Sequence, residues 1–518
     1  MTTGRIDEPS GKKGGGMNML VTDYLDKSAE KFPDKSAVVD EKRSMTYRQL
    51  QTEAKHIAAG LINEGLFRRP VAVYLEKSVE CVSSFMGVMY SGNFYTMIDV
   101  KMPASRIQKI MEVLKPCAII TDKQHYDDVK EISGDAAVIC YEDAMNNKAD
   151  SDTIDKVVSD IIGSDIMYVL FTSGSTGVPK GVIISHQALV DFIEWGSAEF
   201  KIDDTYIFGN QTPLYFSMSV FDVYQTIRNG ATLYLIPQKL FSLPAALMQY
   251  MFDNKINTVF WVPSALTFLS TLKALKSPFL PELKNVFFGG EVMPVKQLNR
   301  WIEVYPDVKY VNFYGPTEVT DTCTFYVVNR TFENQETLPM GYACRNMDVF
   351  LLDENNMPVK DGEIGEVCVR GIGLSYGYYN APDKTKEVFV QNPLNDIYEE
   401  KIYRTGDLAR KNEYGELVYI SRKDFQIKHM GRRIELGEIE TAISSIEEVD
   451  ICCCLYNTRK SKIVMIYQGD ISESDVIDRL KELVPDYMLP NIKVKLEEMP
   501  LNLNGKVDRR KLEEMYIK

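Results

Sequence analysis

Between Leu20 and Phe288, short apolar segments of strand length alternate with segments of helical periodicity, and that rhythm leaves few folds open. Leu20–Phe32 and Tyr47–Leu66 carry apolar residues at helical spacing; Pro70–Tyr74 (PVAVY) is a short apolar strand. Ser78–Tyr90 follows as a helix, then strands near Phe94–Val100 and Pro116–Thr121. The pattern returns at Ala231–Ile236 (strand), Ala245–Asn254 (helix), Thr258–Val262 (strand) and Asn285–Phe288 (strand). Strands that alternate with helices imply an α/β body with largely parallel sheets, because a parallel neighbour is reached by a helical crossover.

The texture changes after about Leu338. Val349–Asp353, Gly365–Arg370 and Glu416–Ile420 read as strands separated by Gly, Asp and Asn turns, which suggests a meander or small barrel. Beyond Asp424 a short tail has a βαβ-like pattern, with helices at Glu438–Ser445 and Ser474–Leu483 and strands at Val449–Tyr456 and Lys462–Gln468. The expected fold is α/β: a large N-terminal body of α/β subdomains with a small β-barrel-like part, then a small α+β C-terminal domain. The expected divisions are a polar, Gly-rich leader at 1–16, a large domain at 17–423 and a small one at 424–518.

The net charge of -14 disfavours non-specific binding to nucleic acid or an anionic membrane surface, both of which need surplus positive charge. No apolar run reaches the roughly 18 residues of a membrane span, and no signal-peptide pattern opens the chain. The nine cysteines lack paired CxxC spacing; Cys452, Cys453 and Cys454 fall on a strand that would point them to different faces. They read as structural thiols of a reducing cytoplasm, and the four dispersed histidines suggest no zinc cluster.

One loop carries chemistry. The apolar run Tyr168–Phe171 ends in Thr172-Ser173-Gly174-Ser175-Thr176-Gly177-Val178-Pro179-Lys180-Gly181. Glycines let backbone N–H groups approach phosphate oxygens, hydroxyls add donors, and the lysine adds positive charge. A Walker A loop would need glycine where Pro179 stands and a hydroxyl residue where Gly181 stands. The loop suits phosphate without being a P-loop.

With that loop the chain resembles the acyl-adenylate-forming superfamily: acyl- and aryl-CoA synthetases, luciferases, and the adenylation domains of nonribosomal peptide synthesis. The other blocks of the resemblance follow in order: Asn312–Glu318 (NFYGPTE), Gly362–Glu366 (GEIGE), Tyr403–Asp407 (YRTGD), Asp424–Lys428 (DFQIK), Gly431–Glu440 (GRRIELGEIE) and Asn504–Lys506 (NGK). Gly290–Pro294 (GEVMP) and Ser219–Asp222 (SVFD) are most similar to stand-alone amino-acid adenylation enzymes such as D-alanyl carrier-protein ligases.

The resemblance implies ATP and Mg²⁺ as cofactors and assigns roles. Thr172, Ser173, Gly174, Thr176 and Lys180 would embrace the β,γ-phosphates. Glu318 would support Mg²⁺, with Thr317 near the α-phosphate. Tyr314 would offer its face to adenine beside Gly290, Asn312 and Gly315; Asp407 would accept from both ribose hydroxyls, with Arg422 nearby. Lys506 would bridge the substrate carboxylate and the nucleotide. The small domain would be mobile, swinging about Asp424 between two half-reactions, and Gly431 would then line the thiol's entry.

The same resemblance implies a substrate pocket of Ser217, Met218, Phe221, Trp261, Phe287, Gly289, Phe313, Asp321 and Thr322. Its bulk points to a small substrate. Amino-acid enzymes of the family place an aspartate where Ser217 stands, to pair with the α-ammonium. A buried ammonium without its partner costs roughly 3–5 kcal/mol, more than two decades of affinity. Two readings stay open: a small amino acid whose amine Asp321 receives, or a small hydroxy or unsubstituted acid. The expected acceptor is the phosphopantetheine of a carrier protein in trans, since no carrier domain follows the Lys506 block. A small-acid CoA ligase shares every ATP-site residue, and a non-catalytic binding protein on the same fold is the reading from another class.

Overall fold

The computed structural model describes residues 19–148, 150–174, 177–276, 279–423, 426–500 and 507–517. The expected leader at 1–16 lies outside them, as do Thr176, Asp424 and Lys506.

Two sheets form the body. In the six-stranded one, Ala137–Cys140, Ala118–Thr121, Pro70–Leu75, Phe94–Asp99 and Ile166–Thr172 run parallel in that order, and Lys180–Ser185 closes the edge antiparallel to Ile166–Thr172. The nine-stranded sheet runs in the order Tyr342–Ala343, Thr324–Val327, Lys309–Tyr314, Asn285–Gly289, Thr258–Trp261, Ile207–Asn210, Thr232–Leu235, Ser36–Val39, Ser44–Thr46. Its middle is parallel and both edges are antiparallel. The alternation read from the sequence therefore stands. The antiparallel edges escaped it because hairpin strands such as Lys180–Ser185 are separated by no helix.

One core joins the two sheets through helices. Val79–Tyr90 is buried at every position but Glu80, and Ser219–Asn229 at all but its last two residues. Val79–Tyr90 is apolar nearly all round and has no solvent face, so it must lie inside; Ser219–Asn229 also buries Asp222, Gln225 and Thr226, each hydrogen-bonded. Val71, Val73, Phe260, Phe287 and Val311 of the two sheets share that core with both helices.

The expected meander is a five-stranded antiparallel sheet of Met347–Leu352, Gly365–Gly371, Phe389–Gln391, Lys401–Lys411 and Leu417–Arg422. The long strand Lys401–Lys411 pairs with three of the others and carries Asp407. In the tail, Val449–Asn457, Lys462–Gly469 and Ile492–Lys495 form one sheet, the last two parallel across the helix Glu473–Lys481. The tail's two cores draw only on residues from Ile427 onward. Cys452 and Cys454 pack toward one of them and Cys453 toward the other, as strand alternation requires.

Between body and tail sits a hairpin of Gln426–His429 and Arg432–Glu435. Its two-residue turn places both Met430 (φ 51°) and Gly431 (φ 74°) in the left-handed region, as a type I′ turn demands. Glycine suits this and methionine does not. Met430 is exposed and loses little packing on exchange. Met430→Asn is expected to stabilise the hairpin by up to about 1 kcal/mol, read as slower amide exchange across Gln426–Glu435.

Candidate active site

The C-terminal ends of strands from both sheets face one cleft. Thr172, Ser173, Ser217, Met218, Gly289, Gly290, Phe313, Gly315, Thr317, Asp321, Thr322, Asp407, Arg422 and Gly431 line it. Residues up to 259 positions apart in sequence (Thr172 and Gly431) therefore share one space. Gly174, Lys180, Asn312, Tyr314, Glu318, Phe221 and Phe287 stand outside the lining.

The phosphate loop bridges the hairpin of Ile166–Thr172 and Lys180–Ser185. A Cβ on Gly174 would fall 2.1 Å from the Val178 carbonyl oxygen. Ser173 Oγ donates to the Arg433 carbonyl at 2.7 Å. Lys180 Nζ lies 3.7 Å from Glu435 and 5.1 Å from the Tyr378 ring centroid. Burial and the nearby Arg433 hold the lysine below its usual pKa, against the pull of Glu318 and Glu435.

Glu318 sits on the single turn Thr317–Val319 and is fully buried. Arg433 Nη1 donates to both of its oxygens at 2.8 and 2.7 Å, and Tyr378 OH donates to Oε1 at 2.7 Å. Burial pushes this carboxyl up, but Arg433, Lys180 and the Tyr378 hydroxyl outweigh it and hold it below the usual carboxylate range.

Asp407 accepts from Tyr314 OH and from Arg422 Nη1, both at 2.6 Å. Each carboxylate oxygen keeps a second lone pair for a ribose hydroxyl. Lys428 Nζ lies 5.0 Å from the Tyr314 ring centroid, and burial holds its pKa down. Asn312 is spent on structure: its side-chain amide donates to the Pro339 carbonyl at 2.8 Å.

The substrate pocket expected from the sequence needs one correction. Trp261 does not line the cleft. It is fully buried in the other core of the nine-stranded sheet, and its indole N–H donates to the Gly209 carbonyl at 2.7 Å. Phe260, one residue earlier, lines the cleft instead. Successive strand residues point to opposite faces, so a one-residue error in phase exchanges a wall residue for a core residue. Phe221 and Phe287 back the wall as a second layer, Phe221 with ring centroids 5.5 Å from Phe260 and 5.8 Å from Phe313.

Ser217 and Asp321, 104 residues apart, touch in the cleft: Ser217 Oγ donates to Asp321 Oδ1 at 3.0 Å and lies 3.2 Å from Thr317 Oγ1. Thr322 Oγ1 reaches Asp321 Oδ2 at 3.3 Å. Burial pushes the Asp321 carboxyl up to about 6, against these two hydroxyls and the charge of Lys428. Thr320 (φ 57°) and Asp321 (φ 77°) are both left-handed, a costly backbone for β-branched threonine.

Sequence reasoning missed Arg433 and Lys428. The signal was present in Gly431-Arg432-Arg433: consecutive strand residues diverge, so one arginine must turn inward. Arg432 stacks 4.0 Å from the ring centroid of Tyr487, itself a cleft residue, and Arg433 reaches Glu318. Gly431 reaches the cleft because only hydrogen fits there. A Cβ would lie 2.0 Å from Val262 Cγ1. Among the described residues no cluster of three or more His, Cys, Asp or Glu could hold a metal, and no helix is long and apolar enough to cross a membrane.

Comparison with known proteins bears on this geometry. The family model described as AMP-binding enzyme matches residues 25–379. Zwittermicin A synthase ZmaJ of Bacillus cereus is 32% identical over 508 residues, spanning 96% of this chain and 95% of its own length. Tyrocidine synthase 1 of Brevibacillus parabrevis is 29% identical over 496 residues; the match spans 95% of this chain but 44% of that protein. Among solved structures, holo-PA1221, an NRPS protein containing adenylation and PCP domains, superposes with a TM-score of 0.81 at 24% identity, covering 96% of this chain and 84% of that one. IdnL1 gives 0.77 at 23%, covering 93% and 99%. At these identities the solved structures speak for the fold alone.

Proposed function

We propose, since this chain belongs to the AMP-binding enzyme family and is an adenylate-forming ligase, that it activates a small amine-bearing acid with ATP and passes the acyl group to the phosphopantetheine thiol of a carrier protein. The observation that carries the substrate reading is the Ser217–Asp321 contact. The carboxylate absent from position 217 is present 3.0 Å away, buried, and anchored by two hydroxyls. A buried carboxylate on a strained backbone is costly to keep, which fits a ligand that needs it. Phe260 and Phe313 limit the substrate's size.

In the first half-reaction the substrate carboxylate oxygen bonds to the α-phosphorus, the α–β bridge breaks, and pyrophosphate leaves. Two anions must meet, so the site has to supply positive charge and hold the reactants in line. In this reading Lys180, Ser173 and Thr172 would take the leaving phosphates, with Thr176 and Lys506 assigned by the resemblance. Asp407 and Arg422, which line the cleft, would take the ribose; the resemblance assigns Tyr314 to the base. Glu318 is the residue that would hold Mg²⁺, which neutralises phosphate charge when bound. With Arg433 on both Glu318 oxygens the ion does not fit, so that role belongs to the arrangement in which the hairpin is withdrawn.

In the second half-reaction the thiol sulfur bonds to the acyl carbon, AMP leaves with the bonding pair, and the thiol proton passes to solvent. The Gly431 turn beside Gly290, with 3.6 Å between Gly431 O and a Cβ built on Gly290, suits this arrangement to thiol entry. We place the boundary between body and lid at 423/424, with Asp424 as hinge. Intact-mass measurement of a phosphopantetheinylated carrier protein incubated with enzyme, ATP and small amino acids is expected to show the acyl mass added. Acylation of CoA but of no carrier would overturn the acceptor assignment.

A further inference from the structure

Asp222, next to Phe221 in the chain, and Asn210, at the end of the strand Ile207–Asn210, are both fully buried. Asn210 Nδ2 donates to Asp222 Oδ2 at 2.9 Å. Among the described residues, the other oxygen of each side chain, Asp222 Oδ1 and Asn210 Oδ1, has no hydrogen-bond partner. With the carboxyl ionised both atoms are acceptors, so neither can satisfy the other, and a buried unpaired acceptor is costly. A neutral carboxyl changes this. One proton on Asp222 Oδ1 makes that oxygen a donor, and in an acid–amide pair the atom set opposite it is the amide oxygen. A single proton thus provides for both orphaned atoms.

Burial favours that form. It pushes the Asp222 carboxyl up to about 8, with the charge of Asp321 adding to it, against the Asn210 amide and the charge of Lys77. Lys77 follows the strand Pro70–Leu75 and donates to the Asn210 and Gln211 carbonyls, both at 3.2 Å. Burial brings that lysine down to about 7, against the pull of Asp222, Cys81 and Asp99.

Resting on the role given to Asp321 above, we infer that Asp222 is a positioning residue in its neutral acid form: its Oδ1–H donates to Asn210 Oδ1 and closes a two-bond ring. Like charges in one buried region do not both ionise readily, so the proton that Asp222 keeps leaves Asp321 free to lose its own and face an ammonium. The ring also ties the helix Ser219–Asn229, which follows Ser217 and Met218 of the cleft, to the nine-stranded sheet. Asp222 acts through these residues and lines no part of the cleft itself.

The test uses the full chain and two variants. Asp222→Leu leaves the Asn210 amide without its partner and is expected to raise KM for the small amino acid about ten-fold, with kcat changed far less. Asp222→Asn should restore KM, because its amide N–H donates where the acid O–H did. The pH profile separates this role from a merely structural one. In the unmodified enzyme the ring opens as Asp222 ionises, so kcat/KM should fall above about pH 8 relative to that of Asp222→Asn. Infrared difference spectra of the unmodified protein against Asp222→Asn at neutral pH should show the carbonyl stretch of a protonated carboxylic acid. Loss of a carboxylate band alone, an Asp222→Asn variant as impaired as Asp222→Leu, or a ratio of the two profiles that ignores pH would each overturn the inference. Should Asp222→Leu fail to fold, the pH ratio and the infrared band decide by themselves. Failure of the underlying reading shows separately: exchange confined to acids without an amine removes the role of Asp321, while the infrared band still reports the Asp222 proton.

Discussion

Asp321→Asn is expected to lower kcat/KM for a small amino acid in ATP–pyrophosphate exchange by about two to three decades, while a des-amino analogue loses far less. The magnitude is that of leaving a buried ammonium without its counter-ion. The same change should stabilise the fold at neutral pH. Burial raises the Asp321 carboxyl to about 6 from the 3.8 of a free aspartate, so the native state holds its proton more tightly than the unfolded chain does. Stability from this group is therefore full below about pH 4 and is lost as pH rises through about 6. Asparagine, which never ionises, should show no such loss; its advantage at pH 8 is bounded by about 3 kcal/mol and vanishes near pH 4. Thermal unfolding of both proteins across pH 4–8 checks the sign. Exchange activity on the amino acid should correspondingly fall below about pH 6 in the unmodified enzyme, where Asp321 is neutral before substrate binds.

Glu318→Gln is expected to cost about 100-fold or more in the exchange reaction, the scale of removing a preorganised charge partner from a polar-anion site. It also strands Arg433, whose guanidinium would face an amide in a buried place. Leaving one member of a buried pair costs about 3–5 kcal/mol. The hairpin can escape that cost by withdrawing into water, so the loss should fall on docking and not on the body. Amide exchange of Arg432–Ser444 should rise while that of Pro70–Leu75 and Ile166–Thr172 stays unchanged. Tyr378→Phe is the control. It removes one neutral donor to Glu318, worth about 1 kcal/mol, and should reduce exchange activity by less than about ten-fold.

The α/β body was legible because strand and helix periods differ and because apolar runs such as PVAVY and PCAIIT can only be inner strands. The gathering of Thr172, Gly290, Gly315, Asp407 and Gly431 around one cleft was legible only through ordered blocks, since no local rule joins residues so far apart. Trp261 shows the limit of that route. A resemblance gives the strand but not its phase, and Phe260 takes the wall. The Ser217–Asp321 contact was half-legible: the missing aspartate stood out in FSMSV, but only folding brings the other carboxylate beside it. Arg433 was invisible as a site residue because its partner Glu318 lies 115 positions away on another element.

The measurement that tests the central claim most directly is acid-dependent ATP–pyrophosphate exchange across D- and L-alanine, glycine, serine, β-alanine and their des-amino and hydroxy analogues. The account predicts exchange with one small amine-bearing acid and little with the analogue that lacks its amine. Exchange confined to acids without the amine would contradict the role given to Asp321, and exchange with no acid at all would contradict adenylation by this cleft.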